Sequence, residues 1–134
     1  MKKIIAIIEK GDTEGYSIYA ANGEPLFSSG ETEQEARSEF LALIPEQAEY
    51  IKERTGAYPS WYAKGVEVDF RYDMSAFFTA FPFINVTEFA KSIGINPSLM
   101  RKYKSGIAKA GERQKELIQS KLGDIAHQLS AVKF

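Results

Sequence analysis

The pattern of apolar and polar positions predicts a sheet in the first half of the chain. Residues 3–10 are almost wholly apolar and β-branched, which is typical of an inner strand covered on both faces. Residues 16–21 and 26–29 predict two shorter strands, with turn signals at residues 11–15 and at Asn22-Gly23. Residues 66–73 alternate between apolar and charged side chains, which predicts a fourth, half-buried strand.

One helical segment lies between the third and fourth strands. Thr32 and Glu35 have the spacing of a capping box, and apolar residues then recur at every third or fourth position. A proline inside a helix costs about 3 kcal/mol, so Pro45 predicts a kink or break, with a second helical piece that ends at Gly56. An aromatic loop at residues 58–62 leads to the fourth strand. The predicted order is therefore β-β-β-α-β.

Residues 85–106 have the features of a helix-turn-helix. Asn85 predicts the cap of a first helix, and Gly94 follows its last apolar residue, where glycine readily adopts a left-handed backbone. Asn96 predicts a second cap, and Pro97 stands at the first helical position, where its missing N–H costs nothing. These signals agree with helix-turn-helix spacing, although an ordinary αα-hairpin is an alternative that would not bind DNA.

The second of these helices predicts a cationic outer face. Met100 and Tyr103 are expected to point inward. The residues expected to face outward are Ser98, Leu99, Arg101, Lys102 and Lys104. We expect base contacts from Arg101 and Ser98 and phosphate contacts from the lysines. The predicted DNA-binding residues are Thr87, Asn96, Ser98, Leu99, Arg101, Lys102, Lys104 and Lys109.

The net charge of −1 hides two halves of opposite sign. Residues 1–74 contain 8 Lys and Arg residues against 14 Asp and Glu residues, a net charge of −6, whereas residues 75–134 contain 9 against 4, a net charge of +5. Binding to phosphates needs local positive charge whatever the base sequence. The asymmetry predicts an acidic domain, residues 1–74, joined to a nucleic-acid-binding domain, residues 75–134. A chance partition of surface charge is the alternative, and the helix-turn-helix in the basic half disfavours it.

A long amphipathic helix is predicted from Glu112 to about Val132. Its apolar residues recur at alternating steps of four and three, which is the spacing of a heptad seam. This seam consists of Ile118, Leu122, Ile125, Leu129 and Val132. Two interpretations are equally open: the seam covers the core of the helix-turn-helix, or it also joins two copies of the chain.

Residues suited to catalysis are few. His127 is the only histidine and lies in that amphipathic helix, and no cysteine occurs, so we expect no Ser-His-Asp catalysis, no metal centre and no cofactor. Glu67, Asp69 and Asp73 share one strand face and are candidate Mg²⁺ ligands of a nuclease. Their alternation with apolar residues is explained more simply by a solvated strand face. We therefore expect a protein that is not an enzyme.

Two other segments bear on partners and location. Tyr58, Trp61 and Tyr62 form an aromatic cluster that is able to stack on bases, but its place in the acidic half favours a role at the sheet edge or in contact with a protein. The N-terminal apolar run ends at Glu9-Lys10 without a small-residue cleavage site, and no transmembrane stretch is present. We therefore expect a cytoplasmic protein.

Taken in order, these motifs resemble the HicB family of type II antitoxins. The resemblance covers nearly the whole chain, and it begins with the strand at residues 2–10, Gly15-Tyr16-Ser17-Ile18 and Ser29-Gly30-Glu31-Thr32. It continues with Val68-Asp69-Phe70-Arg71-Tyr72-Asp73, then Phe89-Ala90-Lys91-Ser92-Ile93-Gly94-Ile95-Asn96, and then Tyr103-Lys104-Ser105-Gly106. Each strand motif is weakly specific by itself, whereas their order, joined to this DNA-binding motif, is much more specific.

The resemblance implies an α+β protein with two domains. The first is a partial RNase H-like β-β-β-α-β domain that lacks the catalytic carboxylates of that fold and binds a small basic ribonuclease toxin of the HicA family. The second is an Xre-like helix-turn-helix that binds operator DNA and represses the operon, usually as a homodimer or higher homo-oligomer. The alternative is a stand-alone transcription regulator whose acidic domain senses a ligand or another protein.

Overall fold

The computed structural model describes residues 1–10 and 15–134, and in these ranges the chain is a mixed α+β protein with a four-stranded sheet and six helices. The elements are, in order, β1 (Lys2–Lys10), β2 (Tyr16–Ala20), β3 (Phe27–Gly30), α1 (Glu33–Thr55), α2 (Ser60–Ala63), β4 (Val66–Tyr72), α3 (Met74–Ala80), α4 (Val86–Ile93), α5 (Pro97–Ser105) and α6 (Glu112–Ser130). Residues 11–14 of the predicted first turn lie outside the described residues. The chain divides into two compact units, Met1–Ala80 and Phe81–Phe134.

The strands of the N-terminal unit form one mixed sheet in the order β3-β2-β1-β4. β1 pairs antiparallel with β2 and parallel with β4, so that Ile7 lies beside Tyr19 on one strand and Arg71 on the other. β2 pairs antiparallel with β3. The prediction that the first strand is an inner strand is confirmed, because β1 has a neighbour on each side.

The core of the N-terminal unit lies on one face of this sheet. Ile4, Ala6 and Ile8 of β1 are fully buried there, in one cluster with Phe40 of α1. Ile5 and Ile7 point to the other face and are only half-buried. The expectation of a first strand covered on both faces is therefore wrong for the described chain, because the core cluster fills only one side of the sheet.

The ends of α1 are set by the predicted residues. The hydroxyl of Thr32 accepts a hydrogen bond from the N–H of Glu35 at 3.1 Å, which satisfies one of the free donors of the first turn. The Glu35 carboxylate also accepts a hydrogen bond from the N–H of Glu31 at 3.0 Å. Gly56 has φ 86° and ends the helix, as predicted.

Of the predicted kink or break at Pro45, the break is wrong, because α1 runs without interruption through this residue, and the kink stays a prediction. A proline leaves the carbonyl four residues earlier without its helical donor, here the carbonyl of Leu41. Both Pro45 and Leu41 are exposed, so solvent can hydrogen-bond that carbonyl. On the opposite side Phe40 and Ala48 are fully buried, and packing on the sheet holds the two halves of α1 in one helix.

A polar cluster links the last strand to α1. The hydroxyl of Tyr72 donates to the Glu33 carboxylate, with distances of 2.8 and 2.9 Å to its two oxygens. Arg37 pairs with the same carboxylate at 2.7 Å, and its guanidinium lies 4.7 Å from the centroid of the Phe70 ring. Burial and the hydrogen bond to Glu33 raise the pKa of Tyr72 above its usual value. These contacts fix β4 against the start of α1.

Two features of the N-terminal unit differ from prediction. The aromatic segment at residues 58–62, predicted as a loop, contains the single-turn helix α2. The division between the units falls after Ala80, whereas the charge pattern placed it after residue 74. The reason is that α3 packs on the sheet: the Ser75 hydroxyl accepts a hydrogen bond from the N–H of Lys10 at 3.0 Å, and Ala76 belongs to the core cluster.

The C-terminal unit contains three helices at the predicted places. α4 and α5 have the predicted first residues, and α6 begins at Glu112 and ends at Ser130. Apolar side chains of all three helices and of the turn between α4 and α5 are buried. They are Phe89, Ala90, Ile93, Ile95, Met100, Tyr103 and Ile118.

Candidate nucleic-acid interface

The first helix of the candidate interface is bounded by specific hydrogen bonds. Asn85 Oδ1 accepts from the N–H of Glu88 at 2.9 Å and caps α4. Gly94 has φ 80° and ends the helix, and the N–H of Ile95 then donates to the carbonyl of Ala90 at 2.9 Å. This hydrogen bond closes the turn in the way that left-handed C-caps do. The chain therefore leaves α4 in a fixed direction.

The second helix begins at once after this turn. Asn96 Oδ1 accepts from the N–H of Ser98 at 2.8 Å, and Pro97 occupies the first helical position. Met100 is fully buried and Tyr103 is 6% exposed, so both inward predictions are confirmed. The carboxamide oxygen of Asn96, one of the predicted DNA-binding residues, is thus engaged by the helix, which leaves its NH₂ group as the donor available to a ligand.

Arg101 joins the two helices on their outer side. Its Nη1 donates to the hydroxyl of Thr87 in the first turn of α4 at 3.1 Å, and its Nη2 donates to the hydroxyl of Ser98 in α5 at 3.2 Å. Three predicted DNA-binding residues therefore form one hydrogen-bonded cluster, which we call the arginine cluster. A guanidinium has five N–H donors, so these two bonds orient the group without using all of them.

The hydrogen bond between Arg101 and Thr87 was not predicted from the sequence. Thr87 was predicted to bind DNA, but nothing in the spacing of residues 87 and 101 indicates that their side chains meet. Thr87 is half-buried, whereas Ser98 and Arg101 are exposed. The signal in the sequence is only that a hydroxyl in the first turn of one helix precedes an arginine in the middle of the next.

The predicted phosphate-binding lysines are on the surface. Lys102, Lys104 and Lys109 are exposed, and the carbonyl of Lys102 accepts from the N–H of Ala108 at 3.2 Å, so the segment after α5 folds back on its end. Among the described residues, neither Lys102 nor Lys104 pairs with a carboxylate. Their ammonium groups are therefore available to an external anion.

Leu99 departs from the predicted outward placement, because it is half-buried. It lies four residues before Tyr103, and side chains with this spacing share a face of a helix. Leu99 therefore lies on the side of α5 that also carries the buried Tyr103. Only part of the Leu99 side chain remains for a contact with thymine methyl groups.

The seam of α6 is buried at one end and exposed at the other. Ile118 is 3% exposed, Leu122 and Ile125 are half-buried, and Leu129 and Val132 are 65% and 55% exposed. Covering the core of the helix-turn-helix therefore explains only the first part of the seam. The second half presents apolar side chains that no described part of the chain covers.

The strand carboxylates are used in structural contacts. Asp69 pairs with Arg71 at 2.9 Å, and Asp73 Oδ1 accepts from the Ser75 hydroxyl at 2.6 Å and from the N–H of Ala76 at 3.0 Å, which caps α3. Within residues 1–10 and 15–134, no group of three or more His, Cys, Asp or Glu side chains is arranged to hold a metal ion. These contacts explain Asp69 and Asp73 without a catalytic role.

Comparisons of the chain with protein-family models, with curated proteins and with solved structures find no match. In the described ranges, no helix has both the length and the apolar character needed to cross a lipid bilayer. Functional assignment therefore depends on the geometry and charge of the two units.

Proposed function

We propose that this chain is an antitoxin of the HicB type that binds operator DNA and represses its own operon. In this proposal the N-terminal unit has a partial RNase H-like fold and neutralises a small basic ribonuclease toxin, and α4 and α5 form the helix-turn-helix of an all-α DNA-binding domain. The observation that carries the proposal is the arginine cluster, because it orients an exposed guanidinium on the outer side of two capped, well-packed helices.

The placement of the polar groups suits a DNA duplex. In helix-turn-helix proteins the N-terminal part of the second helix contacts base edges in the major groove. Asn96 caps α5, Ser98 lies in its first turn and Arg101 in its middle, and the exposed lysines follow toward its C-terminal end. A guanidinium is the preferred bidentate donor to guanine, and lysines bind phosphates without base preference. Arg101 is therefore the residue that we expect to read sequence.

The acidic N-terminal unit supports the toxin-binding part of the proposal. It contains 8 Lys and Arg residues against 14 Asp and Glu residues, while the C-terminal unit contains 9 against 4. Opposite charge accelerates the encounter with a basic protein and disfavours acidic competitors. One unit is thus suited to a basic protein and the other to the polyanionic backbone of DNA.

Replacing Lys104 by alanine is expected to weaken binding to all DNA sequences alike and to lower the slope of log K against log salt by about one, because one phosphate contact is lost. Titrations of operator and unrelated DNA at several salt concentrations measure both effects. Lys133→Ala removes an exposed lysine beyond α6 and is the matched control. An unchanged salt slope for Lys104→Ala would remove this residue from the interface.

The exposed half of the α6 seam supports a dimer as the DNA-binding form. Heptad spacing places apolar side chains where a second helix packs knobs into holes, and a second copy offers the same seam. Two copies would also present two α5 helices to the two halves of a palindromic operator.

Replacing Leu129 by lysine is therefore expected to convert a dimer into a monomer, as measured by sedimentation equilibrium, since a charge would enter the seam. Ile107→Lys is the control, because Ile107 is 79% exposed and lies outside the seam. If both variants keep the assembly state of the wild type, the seam is not the dimer contact.

The antitoxin role itself is tested by the product of the adjacent gene. The proposal requires a small basic protein that arrests growth when it is expressed alone and that copurifies with this chain. Growth should resume when the two are expressed together. A neighbouring gene without such a product would leave only the DNA-binding half of the proposal.

One observation favours the alternative of a stand-alone regulator that senses a ligand. A shallow depression of about 550 Å³, largely open to solvent, lies on the surface of the N-terminal unit and is lined by Lys2, Trp61 and the turn between β2 and β3. Trp61 is the only tryptophan of the chain, so ligand binding there would change its fluorescence. Operator affinity that responds to a metabolite and not to the toxin would support this alternative.

A further inference from the structure

The sheet of the N-terminal unit has one covered edge and one open edge. β3, at the covered edge, lies against α1: the N–H of Ser29 donates to the Glu39 carboxylate at 3.3 Å, and the hydroxyl of Ser28 donates to the carbonyl of Ala36 at 2.8 Å. β4, at the open edge, pairs only with β1 among the described strands, in unbroken register over its seven residues. Edge strands are often protected by a lysine, a proline or a bulge, and β4 contains none of these.

The free backbone groups of β4 belong to alternate residues. The N–H of Asp73 donates to the carbonyl of Ile8 at 3.0 Å, and the carbonyl of Gly65 also bonds to β1, so the odd-numbered residues face β1. Neighbouring residues of a strand direct their backbone groups to opposite sides, so the even-numbered residues face the open edge. We call these the edge residues, and they are Val66, Val68, Phe70 and Tyr72. In the described ranges, no backbone hydrogen bond reaches them from the open side.

The side chains of the edge residues lie at the margin of the core. They point to the side of α1 and pack against the core cluster, but each of them is only half-buried. A strand added at the open edge would place another row of side chains beside them and bury them further. The edge therefore offers both unpaired backbone groups and incompletely buried apolar side chains.

The order of side chains in β4 is complementary to itself when two copies run antiparallel. If Asp69 lies on the two-fold axis, Val68 faces Phe70 of the second copy. Val66 then faces Tyr72 of the second copy, so every edge residue has a partner and the outward backbone groups meet in hydrogen-bonded pairs. Each apolar pair joins a β-branched to an aromatic side chain, which is a favourable combination across antiparallel strands.

The charged residues on the other side of β4 fit the same arrangement. Glu67 faces Arg71 of the second copy, and the two-fold axis repeats this pair. The two Asp69 side chains face each other at the axis, but each is already paired with Arg71 of its own strand at 2.9 Å, which reduces their repulsion. A strand carrying charge of one sign would be attracted at one end of β4 and repelled at the other. Charge complementarity therefore favours a second copy of the chain.

We propose that the open edge of β4 joins two copies of the chain, antiparallel about a two-fold axis at Asp69, into one continuous sheet. This contact does not depend on the antitoxin function, and it adds to the dimer proposed for the α6 seam. A single strand edge buries less surface than a standard protein interface, so we expect the contact to be weak and to join dimers only at higher concentration. A chain with two different isologous contacts then assembles beyond the dimer.

Cysteine cross-linking tests the register, because the chain has no native cysteine. Facing residues of a non-hydrogen-bonded antiparallel pair have Cα atoms about 4.5 Å apart, which is within the range of a disulfide. Asp69→Cys is therefore expected to form a covalent dimer of the full-length chain under mild oxidation, measured by non-reducing electrophoresis. Glu67→Cys alone should not, because the two copies of residue 67 would lie more than about 10 Å apart. An equimolar mixture of Glu67→Cys and Arg71→Cys should again form a covalent dimer.

Charge reversal tests whether the ion pairs hold the contact. Arg71→Glu is expected to weaken the association of dimers by about tenfold or more, because two attractive pairs become repulsive. Sedimentation equilibrium over a range of concentrations measures this change. Adding Glu67→Arg to Arg71→Glu returns opposite charges to the facing positions and should restore the association. Arg54→Glu, which reverses an exposed arginine of α1, is the control for net charge and should associate as the wild type does.

The inference is overturned if Asp69→Cys forms no covalent dimer, because the edge would then be free for a strand of another protein. It is also overturned if Glu67→Cys alone cross-links equally well, since collisions without a register would explain both products. An equal loss of association in Arg71→Glu and Arg54→Glu would overturn it as well, because net charge would account for the loss. None of these results bears on the antitoxin function or on the α6 seam, which Leu129→Lys tests.

Discussion

Replacement of Phe40 by alanine is expected to lower the free energy of unfolding of the N-terminal unit by about 3–5 kcal/mol, the cost of removing a large aromatic side chain from a packed core. Phe40 is the largest fully buried side chain of the chain's described residues, and it packs with β1 and with the ring of Phe70 at a centroid distance of 6.0 Å. Phe40 also lies about one and a half turns before Pro45, where the helix stays unbroken because the buried side of α1 packs on the sheet. The loss of Phe40 therefore weakens the sheet and the helix together.

Urea denaturation followed by the fluorescence of Trp61 measures this effect, because Trp61 packs against the core of the N-terminal unit. Leu41→Ala is the matched control. Leu41 follows Phe40 in α1 but is 48% exposed, so its replacement should change the free energy of unfolding by no more than about 0.5 kcal/mol. A loss for Phe40→Ala no larger than that of Leu41→Ala would contradict the described core.

Replacement of Arg101 by alanine is expected to cost about 1–3 kcal/mol of operator binding and to relax discrimination at one base position, because a bidentate contact with guanine is lost. Binding to unrelated DNA should change much less, since phosphate contacts dominate there. The comparison of operators that differ at single base pairs identifies the position that Arg101 reads. The expected loss corresponds to roughly 5- to 150-fold in affinity.

Thr87→Val tests whether the arginine cluster positions the guanidinium. It keeps the shape of the side chain and removes the hydroxyl that accepts from Arg101 at 3.1 Å. A positioning role predicts a smaller loss than Arg101→Ala at the same base position, with stability unchanged. Arg113→Ala, which removes an exposed arginine in α6, is the control for net charge. Equal effects of Arg113→Ala and Arg101→Ala would mean that only total charge matters.

The parts of the fold that follow from the sequence are those with local causes. Asn85, Gly94 and Asn96 act within a few residues of their own position, so the bounds of α4 and α5 were predictable from the chain. The apolar, β-branched run at residues 3–10 also indicated an inner first strand. The outer placement of Arg101 followed from the spacing of Met100 and Tyr103.

The features that were not predicted depend on contacts between residues that are far apart in the sequence. Pro45 remains inside a helix because the buried side of α1 is held by the sheet, and propensity alone gives no measure of that packing. Leu99 is half-buried on the side of α5 that carries the buried Tyr103, and this burial depends on the packing of the whole C-terminal unit. The bond between Thr87 and Arg101 spans two helices, so no periodicity of one helix reveals it.

The parallel pairing of β1 with β4 has a consequence for synthesis of the chain. β1 leaves the ribosome before residues 66–72 and must wait for them before its parallel neighbour exists, whereas α4 and α5 pack against a close neighbour in the chain. In the interval the nascent chain carries an apolar, β-branched segment with an unpaired edge. This segment is a target for chaperones and a hazard for aggregation at high expression.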